Sequence, residues 1–279
     1  MEFETLTYEK IENIAKITMN RPEVRNAENM QMSKEISDAF GMAEADGDVK
    51  VIILAGAGPS FSSGHDIGSA AAKAEREKDP MVLGSREHYV NEEDRWLKSC
   101  LRIRDIPKPT IAQVQGHCIM GGLMLATICD IIIAADNAQF AEYAVRMGGA
   151  AVEYFSHPWE LGMRRCKEFL FTGDPIDAQE AWRLGMVNRV VPLDTLEEET
   201  MNLAKKIALQ SPSALKFAKM AVNYTQDLMG FKSAINYFYN IHQLTHAHRS
   251  LEGVPVPQQE AGSVKEFVRS RDEKFAKKL

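Results

Sequence analysis

Residues 116–123, Gly116-His117-Cys118-Ile119-Met120-Gly121-Gly122-Leu123, are the most informative part of this sequence, because they follow an apolar, strand-like run at 109–114. A second loop of the same kind, Phe61-Ser62-Ser63-Gly64-His65-Asp66-Ile67, follows the apolar run at 51–54. A strand that enters a helix through a glycine-rich turn leaves backbone N–H groups without partners in the chain. Two such groups that converge on one point can hold the oxygen of a polarised carbonyl. The pair of loops therefore predicts a site that stabilises negative charge on an oxygen atom.

The composition fits a globular protein and excludes several other classes. The length of 279 residues, 45% of them apolar, suits one large domain or one domain with an appendage. The 33 basic and 39 acidic residues give a net charge of −6, which offers no support for nucleic-acid binding. No apolar run approaches the ~18–20 residues of a membrane span, and the four cysteines form no CxxC pair. We therefore expect a cytoplasmic protein with reduced thiols that binds neither nucleic acid nor membrane.

The pattern of apolar residues changes along the chain. Strand and helix patterns alternate up to about residue 156, which indicates an α/β fold, and helical patterns dominate after that point. We accordingly predict a core over 1–195 and a helical region over 196–279. The predicted elements are strands within 6–19 and at 51–54, 109–114 and 131–134, helices at 29–45, 90–104, 120–129, 157–171, 177–184, 196–209, 212–228, 230–248 and 264–277, a mobile flap or solvated helix at 69–88, and a linker at 250–263.

Further motifs surround the two loops. Asn20-Arg21-Pro22-Glu23-Val24-Arg25-Asn26-Ala27 precedes them, and Cys129–Asp136, Ala138-Gln139-Phe140 and Ala181–Asn188 follow them. Together these motifs resemble the crotonase (enoyl-CoA hydratase/isomerase) superfamily over roughly residues 6–275. The resemblance implies an α/β spiral of ββα repeats. It also implies that the C-terminal helices over 196–279 pack between the subunits of a homotrimer or a dimer of trimers and close the pocket.

The resemblance assigns residues to a site for an acyl-CoA thioester. It implies that the N–H groups of His65 and Gly121 form the oxyanion hole. Hydratases usually carry a small residue at the position of His65, so the imidazole is a departure that either acts near the thioester or packs away from it. No permanently bound cofactor is implied, because coenzyme A enters as part of the substrate. The residues implied for coenzyme A are Arg25, Ala27, Ser63, Asp66 and Ile67, with Phe267 donated by a neighbouring subunit.

Two positions depart from the hydratase pattern. Typical hydratases carry two glutamates that position and deprotonate the attacking water, and the resemblance places Met124 and Ala144 there. Neither side chain can transfer a proton. Glu142 and Glu153 are the candidate replacements, since a carboxyl group buried beside Met124 would have a raised pKa that suits a general acid or base. In the alternative interpretation these glutamates form ion pairs with an arginine, namely Arg146, Arg164 or Arg165.

The histidines allow several interpretations. His242 and His246 are spaced to share one face of a helix and could bind a metal. No third ligand is evident and no HExxH motif exists, so we expect no metal. The resemblance places this helix near the acyl pocket or the subunit interface, which makes Tyr239 and His242 candidate lining residues. His117, in the second loop, is interpreted as a packed or capping residue.

These residues predict an enoyl-CoA hydratase-like lyase with an enolate held in the oxyanion hole and with non-standard acid–base groups. An enolate held by the same two N–H groups also allows isomerisation, decarboxylation and C–C bond hydrolysis. One alternative is a hydrolase that opens a cyclic β-keto acyl-CoA, because relatives of that type also lack the glutamate pair. Another is a non-catalytic protein that binds CoA thioesters. A serine peptidase is excluded, since Ser62 and Ser63 have no identifiable His–Asp partners and no nucleophile turn.

Overall fold

The computed structural model describes residues 2–78, 84–251 and 263–276. The strands are β1 (Leu6–Ile11), β2 (Ile14–Met19), β3 (Val51–Gly56), β4 (Thr110–Val114), β5 (His117–Ile119), β6 (Ile131–Ala135), β7 (Gln139–Ala141), β8 (Ile176–Asp177) and β9 (Arg189–Val191). The helices are α1 (Met30–Ala45), α2 (Ala70–Lys78), α3 (Arg86–Glu92), α4 (Ser99–Asp105), α5 (Gly121–Thr127), α6 (His157–Leu161), α7 (Met163–Thr172), α8 (Ala178–Leu184), α9 (Leu196–Ala208), α10 (Pro212–Leu228), α11 (Phe231–Leu251) and α12 (Val264–Ala276). A π-helical turn over Glu93–Lys98 joins α3 to α4, and short 3₁₀ turns lie at Pro22–Val24, Val145–Met147 and Leu193–Thr195.

The strands form two sheets. The larger sheet has the order β1-β2-β3-β4-β6-β9, and all its neighbours are parallel except the β1–β2 hairpin. The smaller sheet has the order β5-β7-β8. The chain passes from the large sheet to the small sheet and then into a helix, as in β4–β5–α5. The α/β class is therefore confirmed, and this passage is a ββα unit.

The large sheet is covered on both faces, which explains the continuous apolar sequence of β3. Successive side chains of a strand point to opposite faces. Ile52 and Leu54 belong to the main core together with Phe40 of α1. Val51 and Ile53 belong to a second apolar cluster that includes Leu196 and Ala204 of α9. All six residues of β3 are buried as a result.

The helices after residue 156 differ from the predicted ones in two places. The predicted helix 157–171 is interrupted at Gly162, which has a φ of +70° and separates α6 from α7. The predicted helix 230–248 continues through Leu251 as α11, so the predicted linker 250–263 begins later than expected. Residues 252–262 lie outside the described residues.

The segment predicted as a flap or solvated helix contains α2, whose residues other than Ala72 are mostly exposed. The helical alternative is therefore confirmed over 70–78, while 79–83 lie outside the described residues. α9 packs on the large sheet, and the predicted division at residue 195 stays a prediction. Across the described ranges, no helix combines the length and apolar character that a membrane crossing requires.

Candidate active site

The first loop is held against the end of the 20–28 motif by a short parallel ladder. Glu28 N donates to the Gly64 carbonyl at 2.8 Å, and Asp66 N donates to the Glu28 carbonyl at 2.9 Å. The residue between these two contacts is His65, whose N–H points away from the ladder. Gly64 adopts a φ of +86°, which a residue with a side chain would resist. Among the described residues, the His65 N–H has no hydrogen-bond acceptor.

The second loop places another free N–H group beside the first. Gly121 begins α5, where the first N–H groups of a helix lack intrahelical partners, and its N–H finds no acceptor in the described part of the chain. A Cβ atom added to Gly121 would lie 3.3 Å from the His65 nitrogen and 2.7 Å from His65 Cδ2. Only glycine fits so close to His65. The two donors predicted from the sequence are thus adjacent, and both are available to one acceptor.

The His65 imidazole lies between two buried carboxylates. His65 Nε2 is 3.9 Å from Glu28 Oε2 and 3.7 Å from Glu153 Oε2, and the ring stacks on Trp96 with 4.3 Å between ring centroids. Glu28 and Glu153 are 3% and 2% exposed. These three facing atoms are buried and have no hydrogen-bond partner within the described ranges. Buried polar atoms are normally satisfied by protein groups or ordered water, so these three atoms require a partner that the described residues do not supply.

The protonation of Glu28 follows from its surroundings. Burial raises the pKa of the Glu28 carboxyl well above its ordinary value, the negative charge of Glu153 raises it further, and Arg95 opposes this only in part. The protonated, neutral form of the Glu28 carboxyl is therefore favoured. A carboxyl group with a raised pKa, next to a second carboxyl group and an imidazole, suits acid–base chemistry.

Glu153 also contacts a second histidine, on α11. His242 Nε2 lies 3.6 Å from Glu153 Oε1 and 3.4 Å from Glu92 Oε2, while its Nδ1 donates to the Ala151 carbonyl at 2.8 Å. Burial alone would lower the pKa of His242, but the hydrogen bond to Glu92 and the two nearby carboxylates raise that pKa to about 9. The predicted lining residues His242 and Tyr239 are both buried here, and the Tyr239 hydroxyl donates to the Tyr89 carbonyl at 2.5 Å.

Comparison with known proteins assigns the fold to one family. The family model for enoyl-CoA hydratase/isomerase matches residues 9–277. The chain belongs to the enoyl-CoA hydratase/isomerase family. The EchA13 protein of Mycobacterium tuberculosis, whose name assigns it to the enoyl-CoA hydratases, is 44% identical over 261 residues, or 88% of this chain and 82% of the relative.

Solved structures agree with the crotonase fold of this enzyme family. A probable enoyl-CoA hydratase from Mycobacterium smegmatis is 44% identical, with a TM-score of 0.83 over 89% of this chain and 97% of the other. An enoyl-CoA hydratase/isomerase from Xanthobacter autotrophicus Py2 is 33% identical, with a TM-score of 0.85 over 98% and 99% of the two chains. The predicted family and the crotonase fold are therefore confirmed.

The other candidate glutamate contacts a different histidine. Glu142 is fully buried, and its Oε1 accepts from the Ala144 N–H at 2.9 Å. Its Oε2 lies 3.6 Å from His157 Nε2. Met124 and Ala144, at the positions that resemblance gives to the hydratase glutamates, are both buried. Within the described residues, salt bridges join Glu142 and Glu153 only to histidines, so none of the arginines named as alternative partners pairs with either glutamate.

The residues implied for coenzyme A lie around the first loop, except for the one on the last helix. Ser63 N donates to the Arg25 carbonyl at 3.0 Å, and Arg25 has a φ of +55°. Asp66 turns inward, where Arg21 donates to it at 2.9 Å. Burial works to raise the pKa of Asp66, but hydrogen bonds from Ser69, Arg21 and Gly68 outweigh it and leave that pKa below its ordinary value. The remaining three are Ala27, which is buried, and Ile67 and Phe267, which are partly exposed.

Sequence reasoning missed Glu28, Trp96 and Glu92. Glu28 follows the 20–27 motif directly, but only the ladder with Gly64 and Asp66 shows that its side chain reaches His65. Trp96 belongs to a stretch with an ordinary helical pattern, in which no local signal marks it. For Glu92 the spacing of four residues from His88 was a signal that could have been used.

Proposed function

We propose that this protein is an enoyl-CoA hydratase-like lyase whose acid–base groups are Glu28 and Glu153, arranged around His65. One observation carries the proposal: three buried polar atoms face each other beside two backbone N–H groups, and none of these five groups has a hydrogen-bond partner in the described part of the chain. A protein that only binds a thioester needs the two donors but gains nothing from the carboxylates. Unsatisfied buried groups cost stability, and a catalytic role explains their presence.

In the proposed reaction the His65 and Gly121 N–H groups hold the thioester oxygen. The Glu153 carboxylate accepts a proton from water, the resulting hydroxide oxygen bonds to the β-carbon, and the electron pair of the double bond moves to the thioester oxygen as an enolate. The neutral Glu28 carboxyl then donates a proton to the α-carbon. The proton held by Glu153 then returns to Glu28, which restores both carboxyl groups, and the sum of the steps is the addition of one water molecule. Preorganised donors at such an enolate are worth ~10²–10³ in rate each.

Substrate binding follows the same proposal. Arg25, Ala27, Ser63 and Ile67 of the first loop region contact coenzyme A, and Phe267 of a neighbouring subunit contributes to the same site. Asp66 supports the loop through its ion pair with Arg21. The proposal needs no permanent cofactor, because coenzyme A is part of the substrate. A cytoplasmic homotrimer or dimer of trimers fits this assignment.

The test is mass spectrometry of the purified protein after incubation with acyl-CoAs in ¹⁸O-water. The panel contains crotonyl-, long-chain enoyl-, aryl-enoyl- and cyclic β-keto-CoAs. Gain of one labelled water on an enoyl substrate, without cleavage, is the expected result. Label in a new carboxylate would instead identify C–C or thioester hydrolysis and overturn the hydratase assignment. Binding without any product would favour the non-catalytic alternative.

Two matched variants separate the candidate glutamates. Glu153→Gln removes the proposed base and should lower kcat/KM by ~10²–10⁴, the range for a lost general base. Glu142→Gln alters an equally buried carboxyl group that contacts His157 and should have a much smaller effect on turnover. A larger loss of kcat/KM in Glu142→Gln than in Glu153→Gln would identify Glu142 as the general base. Equal turnover by both variants and the unmodified enzyme would remove both carboxyl roles.

A further inference from the structure

Two helices face each other beside the proposed active site, and each presents a pair of possible metal ligands. His88 and Glu92 are four residues apart on α3, and His242 and His246 are four residues apart on α11. Side chains at this spacing share one helix face. Two such faces in contact bring four potential ligands together without any contribution from loops. His88 and His242 are 3% and 7% exposed, so the cluster is largely shielded from water.

The ligand atoms are separated by the distances that a tetrahedral site requires. His242 Nε2 lies 3.0 Å from His246 Nε2 and 3.4 Å from Glu92 Oε2, and His246 Nε2 lies 3.8 Å from Glu92 Oε2. Zinc–nitrogen bonds of ~2.0–2.1 Å at tetrahedral angles place ligand atoms about 3.3 Å apart. The mean of the three separations matches that value. The triangle therefore surrounds a point that a small cation can reach from all three atoms.

His88 completes the set as a fourth ligand. Its Nε2 lies 3.2 Å from Glu92 Oε1, and its ring is 5.0 Å from that of His246, measured between centroids. One ligand atom from each of His88, Glu92 and His246 lies within 4.8 Å of the others. Glu92 and His246 thus belong both to this group and to the triangle with His242, so a closed His₃Glu site requires the His88 imidazole to turn toward that triangle.

The outer hydrogen bonds orient the imidazoles for metal binding. His242 Nδ1 lies 2.8 Å from the Ala151 carbonyl, which can only accept, so Nδ1 carries the proton. His88 Nδ1 lies 3.3 Å from Gln243 Oε1, and Gln243 Nε2 donates to Glu92 Oε2 at 2.6 Å. In both histidines Nε2 is thus the nitrogen that faces the cluster. Metal-bound histidines typically have this second hydrogen bond, and bound carboxylates are supported in the same way.

We propose that His88, Glu92, His242 and His246 bind one Zn²⁺ ion, which joins α3 to α11. Imidazole nitrogen with a single carboxylate oxygen suits Zn²⁺ better than Mg²⁺ or Ca²⁺, which prefer oxygen ligands. Four protein ligands make the site structural. Glu153 Oε1 lies 3.6 Å from His242 Nε2, so the ion fixes the histidine that borders the proposed catalytic carboxylate.

The experiment measures zinc binding by the full chain directly. Protein stripped with a chelator is titrated with Zn²⁺ against a chromophoric competitor, and zinc content is measured by mass spectrometry of the metal. One zinc per chain is expected, and Co²⁺ in its place should give the intense visible bands of a four-coordinate ion. Zinc should also raise the melting temperature progressively with its free concentration.

The variants locate the ion. His246→Ala and Glu92→Gln should weaken zinc binding more than ~100-fold, and Gln243→Ala, which removes only outer hydrogen bonds, by ~10–100-fold. His248→Ala is the matched control, because His248 is exposed on the same helix and should leave affinity unchanged. Each variant is compared as zinc-free protein by its melting temperature, which shows that it folds.

Three outcomes would overturn the proposal. These are zinc far below one per chain, unchanged affinity in His246→Ala, or octahedral Co²⁺ spectra that indicate adventitious surface binding. The hydratase proposal does not depend on this result, because zinc content, spectra and melting temperature are measured without substrate. In a metal-free protein the same four side chains would form only a hydrogen-bonded contact between α3 and α11.

Discussion

Met120 is held in a strained conformation immediately before the oxyanion donor of Gly121. Its φ of 51° and ψ of −114° lie in a region that residues with side chains rarely adopt, at a cost of ~1–3 kcal/mol. The Met120 N–H donates to the Ala141 carbonyl of β7 at 2.8 Å, which helps to hold this geometry. The torsion angles of Met120 set the direction of the next N–H group in the chain. The strained conformation therefore orients the Gly121 N–H toward the proposed oxyanion hole.

We expect Gly121→Ala to lower kcat by ~10²–10³, the usual effect of losing one oxyanion donor. The added Cβ would meet His65 Cδ2 at 2.7 Å and Nε2 at 2.9 Å, which displaces the ring or the donor. Steady-state kinetics with an enoyl-CoA measures the loss. Gly47→Ala is the control, because a Cβ at Gly47 meets nothing within 4 Å. Equal activity of both variants would contradict the oxyanion role of Gly121.

We expect Glu28→Gln to separate stability from activity. The folded-state pKa of Glu28 lies above the unfolded value of ~4.3, so folding binds a proton. The contribution of Glu28 to the free energy of unfolding is therefore fully present at pH values below the pKa that Glu28 has in the unfolded chain. That contribution is lost as the pH rises through the pKa that Glu28 has in the folded protein. Glutamine is neutral at every pH, so the variant should not lose stability in this way as the pH rises. Its kcat/KM should fall by ~10²–10⁴, because the glutamine amide cannot donate the proton that Glu28 supplies.

Chemical denaturation across pH, together with pH–rate profiles, checks this expectation. The unfolding free energy of Glu28→Gln should fall less steeply with rising pH than that of the unmodified protein. In the unmodified enzyme, kcat/KM should decrease at alkaline pH as Glu28 loses the proton that it donates. This decrease should be absent in Glu28→Gln. A variant with full activity and an unchanged alkaline limb would show that Glu28 is buried without a catalytic role.

At the scale of elements, α2 is joined to the start of α1. Glu75 of α2 accepts from the backbone N–H of Met30 at 3.0 Å and of Gln31 at 3.1 Å, and from the Asn29 side chain at 2.8 Å. A carboxylate at a helix N-terminus satisfies free N–H groups and interacts favourably with the helix dipole. The exposed helix α2 is thereby attached to the helix that follows Glu28.

We expect Glu75→Ala to cost about 1 kcal/mol of stability, as the loss of a capping interaction usually does. Hydrogen exchange at the Met30 and Gln31 amides should accelerate, since both lose their acceptor. Glu77→Ala, an exposed position on the same helix, should change neither quantity. Unchanged exchange in Glu75→Ala would show that this cap contributes nothing in solution.

Long elements with strong patterns were predictable from the sequence, and short ones were not. β3, β4 and α1 lie where the apolar patterns place them, within one or two residues. β5, β7 and β8 have two or three residues each, which is too short for a pattern. Their pairing depends on the packing of successive ββα units, and no local signal carries that information.

The sequence predicted the backbone donors of the candidate site and only some of its side chains, Glu153 and His242 among them. The glycines and the strand–turn–helix order mark the His65 and Gly121 donors in the sequence. The side chains that complete the site come from distant segments, and Glu28 and Trp96 meet His65 through tertiary packing. Such contacts depend on sheet register and helix placement, which a single sequence does not specify locally.

At the scale of the whole molecule, the C-terminal helices expose many large apolar side chains. Five large apolar side chains of α10 are more than half exposed, and all of them except Val222 share one face of the helix. Such a face normally marks a protein interface. This agrees with the expected packing of these helices between subunits. The residues are Phe217, Met220, Val222, Tyr224 and Leu228.

We expect a particle of three or six chains, measured by light scattering after size-exclusion chromatography. Tyr224→Lys together with Leu228→Lys, which lie four residues apart on one helix face, should shift the mass toward a single chain, because lysines in an apolar interface lose hydration. Phe171→Lys, at an exposed position on α7, serves as the comparison and should leave the assembly intact. A monomeric unmodified protein would contradict the expected assembly.

The proposed active site draws on residues that are far apart in the chain, from Glu28 and His65 through Trp96 and Gly121 to Glu153. Each contact between these residues joins segments that are far apart in the chain, and the pairing of parallel strands does the same. Contacts of this non-local kind slow folding. During refolding, helices can form before any of these segments meet. Enzymatic activity should therefore return only with the slowest phase, so turnover would report completed folding more faithfully than a measurement of helix content.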